Sequence, residues 1–204
     1  MSRSPKPPRS FFLQGTLAVA RGLIGMHLVH RTGGALHRGR IVETEAYQGP
    51  RDLAAHSSRG RTPRTEVMFG PPGHAYVYFI YGMWNCLNVV TARAGRPHAV
   101  LLRALEPLSD PAARTWGPGL LCQAFRIGRE LNGADLRGPR LWLERAPGRA
   151  RTPRIARAMR IGVDYAGDWA LKPWRFYDAD SPYVSTAPAA ARAARRAPQA
   201  RPVE

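Results

Sequence analysis

The segment IVETEAYQGPRDLAAH, residues 41–56, sets the frame for the rest of the chain. It opens as a strand in which Glu43, Glu45 and Tyr47 recur at every second position, and side chains two apart on a strand share a face. An ordinary core-facing strand carries Val, Ile or Phe at such positions, so two acids and a tyrosine in one row predict a working surface. Gly49-Pro50 ends the strand. The chain then returns through Ala54-Ala55 to His56, a side chain able to give or take a proton near neutral pH.

Upstream, residues 28–30 and 36–46 flank Thr32-Gly33-Gly34 and predict a β-hairpin whose second arm is this strand. Before it, Leu17, Ala20, Leu23 and Ile24 stand at helical spacing and predict one amphipathic helix from Phe11 to Gly25. Downstream, SSRGRTPRTEVMFGPPG (residues 57–73) is a loop with Arg59, Arg61 and Arg64 among small residues and prolines. Such a loop suits phosphate contact and equally suits plain solvation. HAYVYFIYGMWNCLNVV (residues 74–90) predicts a second hairpin, with a two-residue type II′ turn at Gly82-Met83. Tyr81, Met83 and Trp84 then project from its tip, where large apolar groups can wedge apart stacked base pairs; a hairpin buried by its neighbours is the alternative. Residues 99–105, AVLLRAL, form an apolar strand interrupted by Arg103, whose natural partners are Glu43 and Glu45. Residues 117–125 predict a helix, and residues 141–144, 161–163 and 174–177 short strands.

At 204 residues and 44% hydrophobic content the chain is sized for one buried domain. No apolar run approaches the roughly 18 to 20 residues that span a bilayer, and the N-terminus lacks an apolar signal region, so no membrane association and a soluble, cytoplasmic protein are expected. Cys86 and Cys122 form no paired motif, which fits a reducing compartment without structural zinc. The formal net charge of +17 implies an anionic partner, nucleic acid first. Drift in composition accounts for Arg outnumbering Lys but not for the excess of bases over acids. Residues 1–10 are basic and Pro-rich and predict a disordered leader; residues 11–186 form the domain; residues 187–204 are a low-complexity Ala/Arg/Pro tail.

Paired carboxylates do acid/base work when their surroundings separate their pKa values, and an Arg beside one keeps it ionised. Glu45 is the better base, because it leads into Tyr47 and the loop to His56. On spacing alone, however, a Glu-x-Tyr pattern fits a strand-face ion pair better than a catalytic site. Glycine-rich phosphate loops, nucleophile elbows and His/Cys clusters with metal-ligand spacing are absent, so neither metal nor organic cofactor is expected. Lys6 and Lys172 are the only lysines, which disfavours Schiff-base chemistry. Water activated by a carboxylate is the nucleophile this composition favours.

Taken together, GRIVETEAY (39–47), GPRDLAAHS (49–57), GRTPR (60–64), MFGPPGHAYVYFIYGMWNCLNVV (68–90), VLLRALEPL (100–108) and IGVDYAGDWALKPWRFY (161–177) resemble the alkyladenine/3-methyladenine DNA glycosylase family. The resemblance runs from about Phe11 to Ser185. It implies a single α+β domain, a curved and mainly antiparallel sheet surrounded by helices, with a protruding hairpin that wedges into DNA. It further implies a monomeric, monofunctional base-excision-repair enzyme acting on damaged double-stranded DNA. Such an enzyme flips alkylated or deaminated purines (3-methyladenine, 7-methylguanine, hypoxanthine, ethenoadenine) and hydrolyses the N-glycosidic bond. By the same resemblance Glu45 deprotonates the attacking water, held also by Arg103 and the main-chain carbonyl of Ile161. Tyr47 and Tyr78 sandwich the flipped base, with His56 against it; Asn88 excludes the 2-amino group of guanine. Tyr81 fills the gap in the duplex, beside Met83, and Arg59, Arg61 and Arg64 meet the backbone.

Three positions depart from the family pattern. Leu120 stands where a Lys is usual, Thr65 where Asn is common, and Trp84 at a variable position near the wedge. A non-catalytic binder of damaged or distorted nucleic acid, and an RNA-binding module resting on the basic aromatic surface, are the rival expectations.

Overall fold

The computed structural model describes residues 4–148 and 150–186. The predicted low-complexity tail from residue 187, and the first three residues of the predicted leader, lie outside the described residues. Eight strands form one curled sheet in which every pairing is antiparallel: β1 (His27–Thr32), β2 (Ala35–Gln48), β3 (Ala75–Ile80), β4 (Trp84–Thr91), β5 (His98–Pro107), β6 (Leu141–Glu144), β7 (Ile155–Ala158) and β8 (Arg175–Asp178). The helices are few and short: α1 (Arg9–Phe12), α2 (Thr16–Leu23) and α3 (Pro118–Ala124). This is the expected single α+β domain.

The spatial order β3-β4-β5-β2-β1-β6 places β2 at the centre, with β8 also paired to β2 and β7 outside it. β2 serves three partners because it is long. Its first half pairs with β1, residues 43–45 pair with β8, and β5 runs beside it from Gly39 to Gln48. At the changeover the exit of α2 fills the gap: Gly25 N–H donates to Ile41 O and Ile41 N–H to Met26 O, both at 2.8 Å. The β1–β2 turn is Gly33-Gly34, with φ of 56° and 76°, values glycine adopts without steric cost.

The apolar core lies between α2 and the sheet. Val19, Ala20 and Leu23 on α2 are fully buried and cluster with Ile41 and Ala46 of β2 and Val100, Leu102 and Leu105 of β5. The single helix expected from Phe11 to Gly25 is in fact two. Gly15 is extended (ψ 137°) and caps α2, and α1 turns Phe11 and Phe12 edge to face at 5.2 Å so that both rings are buried. Gly25, at φ 90°, ends α2.

Three further expectations are corrected. Residues 161–163 are not a strand: Gly162 has φ 72°, incompatible with a continuing pleat, and β8 pairs instead with residues 155–158. The second hairpin turns through three residues, since Ile80 faces Trp84; Tyr81 and Gly82 both have positive φ (53° and 68°), so the turn is not type II′. Residues 5–9 of the predicted leader are docked. Arg145 N–H donates to Pro5 O, Lys6 Nζ reaches the carbonyls of Arg137 and Gly138, and Arg9 pairs with Asp135 at 2.6 Å.

Candidate active site

Strict alternation along β2 would send Ile41, Glu43, Glu45 and Tyr47 to one face. The β2–β5 register is irregular on both sides of Glu43, and this changes the pattern. Ile41 and Ala46 join the core against α2, and Thr44 Oγ1 donates to Ala20 O. Val42 joins a separate cluster with Ala104 and Tyr183 on the other side. The irregularity therefore puts both acids opposite α2 while keeping Ile41 in the core.

The two carboxylates, both fully buried, share one guanidinium. Arg103 Nε lies 3.2 Å from Glu43 and its Nη1 3.3 Å from Glu45. From there the acids differ. Glu43 also receives Arg175 Nη1 at 3.0 Å and the Ser185 N–H and hydroxyl at 2.7 and 2.9 Å. Glu45 receives the main-chain N–H of Ile161 and the Tyr47 hydroxyl, each at 2.8 Å. Burial pushes the Glu45 carboxyl above its usual 4.5; Arg103, the Ile161 N–H and Tyr47 pull the other way, and Glu43 adds to the rise. Burial also drives the Tyr47 phenol well above 10, so it stays a donor to Glu45.

All three groups that bond Glu45 line a cavity of about 360 Å³, while Glu45 itself lies just behind them. The opposite wall comes from the β3–β4 hairpin. Tyr78 stands edge to face with His56 at 4.4 Å, and His56 Nδ1 is 3.0 Å from the Tyr76 hydroxyl. Burial, helped by Arg64 and Arg59, lowers the His56 imidazole to about 4; burial raises the Tyr76 phenol to about 12. Both are neutral at pH 7, so their hydrogen bond joins uncharged partners. Asn88, nearly buried at the cavity edge, anchors its amide on Tyr76 O at 3.1 Å. At the mouth Tyr81 is 82% exposed and Met83 66%, an apolar tip with no core to enter.

Comparison with known proteins shows the family of the chain. The model of methylpurine-DNA glycosylases matches residues 10–182. The chain belongs to the methylpurine-DNA glycosylase family. A protein of Anaeromyxobacter dehalogenans (strain 2CP-1), provisionally named a 3-methyladenine DNA glycosylase, is 52% identical over 191 residues, spanning 93% of this chain and 90% of that protein. Relatives with the same provisional name from Methanocella arvoryzae and Legionella pneumophila (strain Corby) are each 51% identical, over 89% and 88% of this chain and 96% and 98% of their own.

In this chain the basic loop is more structured than its composition predicts, with 3-10 turns at His56–Arg59 and Glu66–Phe69. Arg59 is exposed and forms no ion pair among the described residues. Arg61 is held by Glu66 at 2.5 and 2.8 Å, and Arg64 lies over the Tyr78 ring at 5.4 Å with Nη2 3.3 Å from Phe79 O. Thr65, one of the departures, ties this loop through its hydroxyl to Gly60 O and to Thr62 N–H. Trp84 covers Gly119, where a Cβ would lie 2.8 Å from the indole, and Leu120 presents an aliphatic side chain to the cavity.

Reading the sequence misses Asp52 and Arg160. Both are fully buried and paired in two bonds of 2.6 and 2.9 Å, and Arg160 also donates to Ala46 O and Trp169 O. Its guanidinium lies 4.7 Å from the Tyr47 ring centroid, and the next residue is Ile161. Asp52 in addition accepts the N–H groups of Gln48 and Ala54. No spacing signal links positions 52 and 160; the only hint is an Asp one step past an Arg in the loop that returns to His56.

Proposed function

We propose that this chain is a monofunctional DNA glycosylase that flips alkylated or deaminated purines out of duplex DNA and hydrolyses their N-glycosidic bond. The observation that carries the reading is Glu45: a fully buried carboxylate held by Arg103, the Ile161 N–H and Tyr47, directly behind a cavity walled by aromatic rings. The base enters between Tyr47 and Tyr78, with His56 against its edge. Tyr81, aided by Met83, occupies the space vacated in the duplex. Arg59 and Arg64 meet the backbone, and Arg61 does so on leaving Glu66, since a solvent-exposed ion pair is screened and holds it only weakly.

Ionised Glu45 takes a proton from water as the water oxygen bonds to C1′ and the C1′–N bond breaks, its electron pair leaving with the purine. Arg103 stabilises the carboxylate before transfer, and the Ile161 carbonyl, which accepts no hydrogen bond among the described residues, orients the water. Cationic lesions leave without a proton. Neutral ones such as hypoxanthine or ethenoadenine build up negative charge as they leave, and neutral His56, backed by Tyr76, can meet that charge with a hydrogen bond at the ring edge without giving up a proton. A lyase step needs an amine, but no lysine lines the cavity; Lys6 is bonded to Arg137 and Gly138 carbonyls elsewhere.

The test is single-turnover excision from duplexes carrying 3-methyladenine, 7-methylguanine, hypoxanthine or ethenoadenine. Free base without borohydride-trapped adducts is expected. The rival, a non-catalytic damage binder, draws support from the lack of any exposed Glu45 surface; lesion binding with no base release by the intact protein would favour it.

A further inference from the structure

Behind Tyr47 the aromatic and cationic groups continue outward as a stack. The Arg160 guanidinium lies between the Tyr47 ring and that of Trp174, 5.1 Å from the latter's centroid, and Trp174 stands 5.7 Å from Trp169. These two half-buried indoles line a second concavity of about 650 Å³, closed on its other side by the Gly49-Pro50 backbone and by Arg96. Gly49 is required there: a Cβ would sit 1.8 Å from Ser57 Oγ and 3.0 Å from Pro97 O. Past Gly49 and Arg96 the concavity runs on into a furrow beside Phe69.

Three cations border it. Arg51, Arg96 and Lys172 are exposed, and none has a side-chain hydrogen bond or ion pair among the described residues, whereas Arg61 and Arg154 on the same molecule each hold a carboxylate. The concavity has no carboxylate in its wall, and His98 there is already bonded to Thr16. Unpaired positive charge therefore converges on an indole surface. A groove that tracks phosphates with cations and offers aromatic rings for stacking suits single-stranded nucleic acid. Duplex DNA keeps its base faces stacked inside, so the indoles serve only an unpaired base.

We propose that this groove is a second DNA site, distinct from the base cavity, that takes a single-stranded segment, with one unpaired base on Trp169 and Trp174 and its phosphates on Arg51, Arg96 and Lys172. None of these five residues lines the first cavity, so the site does not depend on the excision chemistry.

The experiment measures binding of an oligodeoxythymidylate of about eight nucleotides, as a function of salt, to the full chain and to a triple Arg51→Gln, Arg96→Gln, Lys172→Gln variant, with lesion excision from duplex DNA assayed in parallel. The variant should bind the oligomer at least tenfold more weakly at low salt, with the slope of log affinity on log salt reduced by about two, and keep its excision rate on saturating duplex. Unchanged binding and slope would overturn the proposal. Joint loss of oligomer binding and excision would overturn the separateness of the site, and binding of dTMP as tight as that of the oligomer would overturn the strand assignment. Photocrosslinking of a bromodeoxyuridine oligomer to the unaltered chain supplies a check without mutation: adducts on peptides containing Trp169 or Trp174 are expected, and adducts confined to Tyr78 or Tyr81 would refute it. An absence of excision by the unaltered chain would remove the proposed function and leave these binding results to decide the second site.

Discussion

The main-chain N–H of Ile161 lies 2.8 Å from Oε1 of Glu45, joining the centre of the sheet to a segment 116 residues further along the chain. This bond holds the outer loop against the carboxylate and fixes one Glu45 oxygen, leaving Oε2 to Tyr47 and Arg103. Glu43, saturated by two arginines and Ser185, has no such relation to the cavity. The asymmetry assigns different work to two acids that look alike in sequence.

Replacing Glu45 should accordingly separate binding from chemistry. Glu45→Gln retains an oxygen for the Ile161 N–H, so lesion duplex should bind within a few-fold of the unaltered chain. Base release in single turnover should fall by several orders of magnitude, beyond the roughly 10²–10⁴ of general base catalysis alone, because the amide also weakens the electrostatics around Arg103. Excision at the normal rate would remove Glu45 from the reaction.

The pH profile follows from the burial of the same carboxylate. Its folded pKa lies above 4.5, so the ionised base is lost as pH falls through a value higher than that of an exposed glutamate, and the acid limb of the single-turnover rate should sit above pH 4.5. Tyr47 donates to the ionised form and holds the pKa down. Tyr47→Phe should therefore move the limb to still higher pH, and an unmoved or lowered limb would contradict the assignment of that limb to Glu45.

His56 makes the opposite kind of pH statement, about stability. Its imidazole falls from 6.5 to about 4 on folding, so the unfolded chain binds more protons between those values. Its contribution is complete above pH 6.5 and is lost as pH drops toward 4. Urea unfolding at pH 8 and pH 5 should show a smaller loss of stability for His56→Gln than for the unaltered chain; equal losses would mean that His56 titrates normally in the fold.

How far the site was readable follows from which contacts are local. The row Glu43, Glu45, Tyr47 is set by strand periodicity, and Arg103, as the one charge in an apolar strand, advertises its need for a carboxylate. The register irregularity beside Glu43 leaves no local mark, so strand periodicity alone does not reveal that Ile41 faces the core while the two acids face away from it. Gly162 is a turn residue between two apolar neighbours, Ile161 and Val163, whose strand-like pattern masks the positive φ that ends any pleat there. Lys6 and Arg9 lacked apolar company, and their docking rests on carbonyls and Asp135 far along the chain, which composition cannot reveal. The ties of Arg160 are the extreme case: Asp52, Trp169 and Trp174 approach it only once the sheet has curled.

That last cluster allows a stability prediction. Arg160 and Asp52 are both fully buried, and removing one partner leaves the other's charge without compensation, which costs about 3–5 kcal/mol. Arg160→Met should therefore destabilise the chain strongly in urea, and Asp52→Leu at least as much, because Asp52 also accepts the Gln48 and Ala54 N–H groups. In the double variant neither charge remains, so its loss should be smaller than the sum of the two, by about 0.5–3 kcal/mol of coupling. It should still exceed zero, since the loop amides of 48 and 54 and the carbonyls of Ala46 and Trp169 lose their partners. Strict additivity in that cycle would show that the pair is held by its neighbours and not by its own attraction.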